Sequence, residues 1–239
     1  MKLIHQFSAL TSITSSSENV NFPFSNILKI EPWVRGKFAS YADDQWIQGQ
    51  CAGSVSALFV NQVNFPQFRF QWNSTAIWTS PTIDLVCSPV KDRAKNRKGW
   101  FEFAPVTDGY WRILVAAGQT LDNAEAVPAL GNVILGTPYV MPINGEASLR
   151  IEGKTIIEES YAGGYQETGF GRKRHVISVP FGDDMAPLQD MPIDWTNGVL
   201  FYDMGRVEQS FLVFPPANLS ETVYHLEDTK LTLEFREKP

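Results

Sequence analysis

The chain has 239 residues, a formal net charge of -6 at pH 7 and a hydrophobic share of 44%. That hydrophobic share excludes wholesale disorder. The acidic balance argues against a nucleic-acid partner, because nucleic-acid binders usually carry a basic face. No apolar run approaches the roughly 20 residues that a membrane-spanning helix needs, so we expect no membrane insertion. The N-terminus lacks the continuous apolar core of a signal peptide, which favours a protein made and used in the cytoplasm or exported only within an assembly.

The first twenty or so residues are rich in Ser and Thr and have weak hydrophobic patterning. Such a segment is either a flexible arm or an edge strand that leads into the fold. Residues 32–38 and 40–50 follow, and we predict that both are loops. Trp33 lies in the first of these loops, and Tyr41 and Trp46 lie in the second. The three rings are candidate contacts for a ligand or partner, although large rings are more often buried in a core.

Residues 54–73 form the centre of the predicted fold. Residues 55–60 are mostly apolar on both faces of an extended chain, and a polar turn containing Pro66 follows them. Residues 67–72 then alternate with period two, because Phe68, Phe70 and Trp72 point one way and polar side chains point the other. The two runs are therefore predicted to be core strands of a β-sandwich.

More short strands are predicted further along the chain. Alternation between residues 109 and 115 places Trp111 and Ile113 in the core and leaves Arg112 exposed. The glycine-bounded apolar run at residues 130–136 predicts a buried strand. The other strands predicted in this part of the chain cover residues 75–78, 82–87 and 100–103.

A stretch containing two Pro and two Gly at residues 136–145 suggests a domain boundary. We predict an N-terminal arm (1–20), a β-sandwich domain (21–140) and a second, smaller β-rich domain (141–239). In the second domain, residues 147–151 and 154–158 have hairpin-like spacing, whereas residues 160–172 hold too many glycines for a regular element. A short helix is predicted within residues 184–195. Further strands are predicted at residues 174–180, 199–202, 207–214 and 230–236.

The sequence holds no motif for a catalytic reaction. It has no nucleophile–base signature, no phosphate-binding glycine motif, and too few His and Cys at suitable spacing for zinc. We therefore expect no catalytic residue, cofactor or metal, and no enzyme activity. Cys51 and Cys87 are expected to be reduced and buried, although the sequence also allows them to pair. The acidic pairs Asp43-Asp44 and Asp183-Asp184 lie in predicted loops. They would suit calcium, but such carboxylates are mostly just solvated.

Arg172, Lys173 and Arg174 form a basic cluster that precedes a predicted strand. It is a second candidate contact surface, for an anionic surface group or an acidic neighbouring subunit. The alternative interpretation is the solvated outer face of a hairpin, which is the commoner setting for a run of charges.

Four segments in order carry a family resemblance: PFSNI at residues 23–27, VSALFVNQVNFPQFRF at 55–70, YWRI at 110–113 and LGNVILG at 130–136. Their succession resembles the discoidin-like, galactose-binding-type β-sandwich of tail and baseplate proteins of tailed bacteriophages. The resemblance covers roughly residues 21–138, and it implies a jelly-roll sandwich whose ligands are met by loops at one end. No sugar-binding residue of the family can be carried over to this chain.

The resemblance implies a structural virion protein of a tail tip or baseplate, assembled in the host cytoplasm. Its expected partners are other tail proteins and further copies of itself in a ring or collar, with host cell-surface glycan as an additional contact. The alternative is a carbohydrate-binding host-attachment module without a catalytic site. Exposed aromatic rings would favour the second function, and large interfaces between subunits would favour the first.

Overall fold

The computed structural model describes residues 2–4, 7–29, 34–91 and 96–140, and beyond them the backbone of seven further strands. Over these residues the protein is built from β-strands, with two short 3-10 helices at Phe24–Leu28 and Asp122–Ala124. The predicted all-β class, a β-sandwich followed by a second β-rich part, is confirmed. None of the described helices has the length and apolar character to cross a membrane.

The chain divides into two compact units. The first comprises Ile4–Tyr139 and Phe201–Ser210, and the second comprises Met1–Leu3, Val140–Leu200 and Phe211–Pro239. The predicted domain limits near residues 20 and 140 stay predictions. Up to residue 140 the strands are β1 (Lys2–Ile4), β2 (Leu10–Ser15), β3 (Gly36–Lys37), β4 (Gln45–Val63), β5 (Phe68–Asn73), β6 (Ile83–Cys87), β7 (Val90–Lys91), β8 (Arg97–Val115), β9 (Ala129–Leu130), β10 (Val133–Gly136) and β11 (Tyr139–Val140).

Two 19-residue strands, β4 and β8, pair antiparallel along almost their whole length. The pairing slips at three places on β4, between Cys51 and Ser54, between Val55 and Ala57, and between Val60 and Val63. At the first of these, one extra residue on β4 forms a bulge. Gly53 in this bulge has a φ of 89°, and Asp108 opposite it has a φ of 41°. The Asp108 carboxylate accepts the Gly53 N–H at 2.7 Å. Irregularities of this kind bend and twist a strand pair, so residues 51–57 of β4, which contain two adjacent register shifts, are where the β4–β8 ribbon turns.

Ring contacts establish that the ribbon folds back on itself. Strand β5 pairs with the end of β8, where Phe70 lies opposite Ile113. On a straight strand, Phe103 would be about 33 Å from Ile113, at ~3.3 Å per residue. Instead, the Phe70 and Phe103 ring centroids are 5.1 Å apart. Phe68 and Phe101 meet in the same way, edge to face at 5.7 Å. The two halves of β8 therefore lie in opposite layers of a sandwich.

The bend divides one hydrogen-bonded sheet into two layers. The first layer has the strand order β2-β4-β8-β5-β6 and uses residues 45–51 of β4 and 109–115 of β8. The second layer has the order β10-β4-β8-β7 and uses the other halves of the two long strands. Between the layers lies one core, to which Trp72, Trp111 and Ile113 contribute, each at most 2% exposed. The predicted core positions of Trp111 and Ile113 are confirmed.

Three predictions about individual elements of this unit are wrong. Residues 45–50 belong to β4 and not to a loop, because the buried side of this segment is formed by Gln45, Ile47 and Gly49. Strands predicted at residues 100–103 and 109–115 are parts of the single strand β8. No strand forms at residues 75–78, because Asn73 closes a loop there, with Nδ2 donating to Ile77 O at 2.7 Å and Oδ1 accepting Ser74 N–H at 3.0 Å.

The predicted core strands β4 and β5 are both present, and β8 lies between them in the first layer. Of the two interpretations of the N-terminal segment, the structure has the edge strand, since β2 pairs with β4 of the same chain. Gly49 permits this close pairing, because a Cβ there would come within 2.8 Å of Thr11 O.

Beyond residue 140 the backbone forms strands at most of the predicted positions, but they pair differently from the prediction. Strand β12 pairs with β15, and β13 pairs with β14, so the predicted β12–β13 hairpin is wrong. The glycine-rich residues predicted to be irregular include β14. The strands are β12 (Ser148–Glu152), β13 (Thr155–Glu159), β14 (Tyr165–Phe170), β15 (Arg174–Pro180), β16 (Gly198–Asp203), β17 (Glu208–Val213) and β18 (Thr232–Arg236). The predicted helix at residues 184–195 lies outside the described residues.

We predict that Gly53→Ala destabilises the protein by about 1–2 kcal/mol. An added Cβ at Gly53 meets no atom within 4 Å, so the cost comes from the left-handed backbone alone. Urea unfolding followed by Trp fluorescence measures the loss. The control is Ser54→Ala, an exposed neighbour that we expect to stay within about 0.5 kcal/mol of the unchanged protein. If both substitutions lowered the free energy of unfolding equally, the left-handed conformation of Gly53 would not be needed for the bend.

Candidate functional site

The solvent side of the first layer carries an unusual set of side chains, which we call the outer face. Along β4 the buried positions alternate with Trp46, Gln48 and Gln50, which point to solvent. Tyr110, Arg112 and Leu114 occupy the corresponding positions of β8. The face is completed by Arg69 and Gln71 of β5, by Asp84 and Val86 of β6, and by Trp78 from the loop between those strands. Gln71 is only 4% exposed, so its side chain lies beneath the surface of the face.

Strand register places four polar side chains in one row across the outer face. Gln48 lies opposite Arg112, Arg112 opposite Gln71, and Gln71 opposite Asp84. The Arg112 Nε and Nη2 atoms both donate to Gln71 Oε1, at 2.8 and 2.6 Å. Cross-strand neighbours on one face are about 5 Å apart, so the row is a continuous band of hydrogen-bonding groups.

Trp78 lies over this row. Its indole Nε1 donates to Gln48 Oε1 at 2.9 Å, and the guanidinium carbon of Arg112 is 4.8 Å from its ring centroid. Asn73 holds the loop that carries the ring, since its Oδ1 also accepts a hydrogen bond from Thr82 Oγ1 at 3.1 Å. A ring fixed at its nitrogen and stacked on a cation has little rotamer freedom left to lose when a ligand binds.

Arg112 is half-buried, so the prediction that it is exposed is wrong. The physical reason is that Trp78 covers its guanidinium, an arrangement that depends on the loop rather than on strand alternation. Burial lowers the pKa of Arg112 from its ordinary value, while the nearby Asp84 carboxylate opposes that shift. The guanidinium remains charged, because its pKa begins far above neutral pH. Asp84 itself pairs with Arg69, whose Nε donates to Asp84 Oδ1 at 2.8 Å.

Tyr110 extends the face on the side away from Trp46. Gln50 Nε2 donates to the Tyr110 hydroxyl at 3.0 Å, and Ser12 Oγ of β2 donates to Gln50 Oε1 at 3.3 Å. Trp46, Trp78 and Tyr110 are each partly exposed. Trp46 and Tyr110 are four residues apart in register, or about 13 Å along the strands. The outer face thus offers three aromatic rings separated by amide, guanidinium and carboxylate groups.

This arrangement is suited to binding rather than to acid–base chemistry. Asp84 is the one carboxylate in the described rows of the outer face, and it is engaged by Arg69. Hydrolysis of a glycosidic bond commonly needs a pair of carboxyl groups on either side of the bond. Over the described part of the chain, no group of three or more His, Cys, Asp or Glu could hold a metal ion.

The outer face includes one of the predicted contact residues, Trp46. Tyr41 instead ties two loops together, because its hydroxyl donates to Ala116 O at 2.7 Å and accepts Gln119 N–H at 3.1 Å. Burial raises the pKa of the Tyr41 hydroxyl. Trp33, Arg172, Lys173 and the side chain of Arg174 lie outside the described residues, as does the acidic pair Asp183-Asp184. Of the other acidic pair, Asp44 accepts the Ala117 N–H at 2.8 Å, which gives this carboxylate a local structural role.

Sequence reasoning missed most of the outer face. The alternation of β4, where Trp46, Gln48 and Gln50 recur with period two, is a signal that the loop prediction for this segment does not use. Trp78 had no comparable signal, because its position depends on how the loop between β5 and β6 folds over neighbouring strands.

Comparisons with known proteins identify no relative by sequence: no family model matches the chain, and no curated protein matches it. Among solved structures, it resembles chitosan-binding module 1 of a chitosanase/glucanase from Paenibacillus sp. IK-5, with a TM-score of 0.40 and 15% identity over 52% of this chain and 93% of that one. A pectin-binding carbohydrate-binding module gives a TM-score of 0.41 and 16% identity, over 56% and 96%.

A third similar structure is that of reduced XRCC1 bound to the DNA polymerase β catalytic domain. It gives a TM-score of 0.43 and 13% identity, over 56% of this chain and 100% of the matched chain. Scores and identities this low carry no argument about function. The class of the protein therefore follows from its own fold and surface: it is a β-sandwich protein with an aromatic and polar sheet face suited to binding.

We predict that the two cysteines resist thiol reagents in the folded protein. Both are free and buried, and burial raises the pKa of Cys51 to about 11 and that of Cys87 to about 12. At pH 8 almost no reactive thiolate is then present. Titration with a chromogenic disulfide reagent at pH 8 should be slow in buffer and release two equivalents rapidly in denaturant. Rapid labelling of either thiol in buffer would contradict the burial.

Proposed function

We propose that the protein is a non-catalytic carbohydrate-binding protein and that its outer face is the binding surface. The observation that carries the proposal is Trp78, which is partly exposed, held by Gln48 and stacked on Arg112 beside a row of polar side chains. A sugar ring combines apolar C–H faces with hydroxyl groups around its edge. An aromatic ring can cover the C–H face, while neighbouring amide and guanidinium groups bond the hydroxyls.

Preorganisation supports the same function. Within the row Arg112 is already bonded to Gln71, and Gln48 is bonded to Trp78, so binding does not have to order these side chains separately. The separation of about 13 Å between Trp46 and Tyr110 gives room for an extended chain of sugars rather than a single small molecule. The location on a sheet face differs from the end loops that the sequence resemblance implied.

The same resemblance supplies a biological setting, which we include in the proposal. The protein would be a component of a bacteriophage tail tip or baseplate, present in the virion beside other tail proteins and in a ring or collar of its own copies. The outer face would then contact glycan on the host surface. Immunogold labelling of purified particles tests the setting: label at the tail tip is expected, and particles that lack the protein would contradict the setting without affecting glycan binding.

We predict that Trp78→Ala weakens glycan binding by about tenfold or more, since stacking and the fixed position of Arg112 are both lost. A glycan array identifies a ligand for the unchanged protein, and isothermal titration calorimetry compares the variants. The control is Phe22→Ala, which removes a ring that is 43% exposed but lies apart from the outer face. The proposed surface would be refuted if the Trp78→Ala variant bound glycan as tightly as the unchanged protein. It would also be refuted if Trp78→Ala and Phe22→Ala lowered the affinity equally.

A further inference from the structure

The charges of the outer face do not balance. Its described rows contain two guanidinium groups, those of Arg69 and Arg112, and one carboxylate, that of Asp84. Arg69 engages Asp84 through two nitrogen atoms. Arg112 receives only a neutral partner, the Gln71 side-chain oxygen. The centre of the face therefore carries one net positive charge on a protein whose total charge is -6.

Two further carboxylates near these strands, among the residues that the structure describes, are too distant to neutralise this charge. Asp44 immediately precedes β4 and Asp108 lies in β8, each four residues from the row, which corresponds to about 13 Å of extended chain. Charges beyond a Debye length of about 8–10 Å are largely screened at physiological ionic strength. Both carboxylates also have partners, since Asp44 accepts the Ala117 N–H and Asp108 accepts the Gly53 N–H.

The geometry of Arg112 leaves donors free to meet a ligand. The guanidinium carbon lies over the Trp78 ring, and this contact does not use up the N–H donors of the guanidinium. Gln71 Oε1 accepts one hydrogen bond from Nε and one from Nη2 of Arg112. Nη1 has no bonded partner among the residues that the structure describes. A guanidinium edge with free donors matches the two oxygens of a carboxylate. Partial burial strengthens such a bond, because it lowers the local dielectric constant.

Resting on the proposed function, we infer that the ligand of the outer face is an acidic glycan, one with uronic or sialic acid units, and that Arg112 binds its carboxylate. Trp78 then holds a sugar ring beside the carboxylate. Asp84 weakens the binding of acidic ligands, because its negative charge repels them and it pairs with the guanidinium of Arg69. Arg112 is thus a specificity-determining residue, because a neutral glycan would gain the stacking contact but not the charge-assisted bond.

The test uses the full chain and oligosaccharides of alginate, hyaluronan and α2,8-linked polysialic acid, each compared with its own methyl ester. Esterification removes the charge and keeps the backbone of the sugar. Calorimetry should detect at least one acidic oligosaccharide that binds about tenfold or more tightly than its ester. Raising the salt concentration should weaken that binding and leave binding of the ester nearly unchanged.

Two variants separate recognition by Arg112 from a structural role. Arg112→Gln should weaken acidic binding by about tenfold or more and reduce the preference over the ester. Asp84→Asn should strengthen acidic binding about two- to fivefold, because it removes the opposing charge. A loss of stability cannot raise affinity, so opposite effects of the two variants identify the charge as the cause. Thermal unfolding checks that both variants fold.

The outcomes distinguish this inference from the proposed function. Equal binding of acidic oligosaccharides and their esters, with both lost in Trp78→Ala, would overturn the acidic ligand and leave glycan binding on the outer face intact. Binding of acidic oligosaccharides that survives Arg112→Gln would overturn the role of Arg112. If none of the acidic or neutral glycans binds, the proposed function fails, and the inference fails with it.

Discussion

The sandwich depends on the bend in the β4–β8 ribbon. Two strands of 19 residues that paired without interruption would form a ribbon about 60 Å long, with one face of aromatic rings exposed to water. At the bulge, Gly53 takes a left-handed conformation and Asp108 binds its N–H. The ribbon can then turn its apolar sides toward each other. The pairs Phe68–Phe101 and Phe70–Phe103 are the direct result, because each joins rings from opposite layers.

The same bend leaves the outer face available. In the first layer the inward positions of β4, β5 and β8 are filled by core side chains, so the outward positions lie on the solvent side, although Gln71 there is only 4% exposed. Their register lines up Gln48, Arg112, Gln71 and Asp84 across four strands. A sheet with one solvated face commonly carries scattered polar residues there. Here Arg112 is bonded to Gln71, and Trp78 is bonded to Gln48 and lies against Arg112, as a preorganised binding surface requires.

Local patterns predicted the core well. Alternation identified Phe68, Phe70 and Trp72 in β5 and Trp111 and Ile113 in β8, because burial on one side of a strand imposes a period of two. Residues 45–50 were mistaken for a loop because their buried side includes a polar residue and a glycine, Gln45 and Gly49, which weaken the hydrophobic signal. Both are explained by contacts distant in sequence: Gln45 Oε1 accepts from Ser17 Oγ at 2.6 Å, and Gly49 admits β2.

The binding surface was less predictable than the core because it joins elements that are far apart in sequence. Trp78 meets Gln48 across 30 positions, and Arg112 meets Gln71 across 41. Neither pair leaves a periodic pattern, and the position of Trp78 is set by a loop closed by Asn73. Composition indicated that aromatic rings were abundant, but only the strand register identifies those that share one solvent-facing surface.

The central claim is that ligand binds on the outer face of the first layer. The most direct measurement is two-dimensional NMR of ¹⁵N-labelled protein during titration with a glycan that binds. The account predicts that the largest shift changes occur at the indole N–H groups of Trp46 and Trp78 and at the amides of residues 46–50, 69–73 and 110–114. The account would be contradicted if the largest chemical-shift changes occurred at the turns of residues 61–66 and 117–128 and the two indole N–H shifts stayed unchanged.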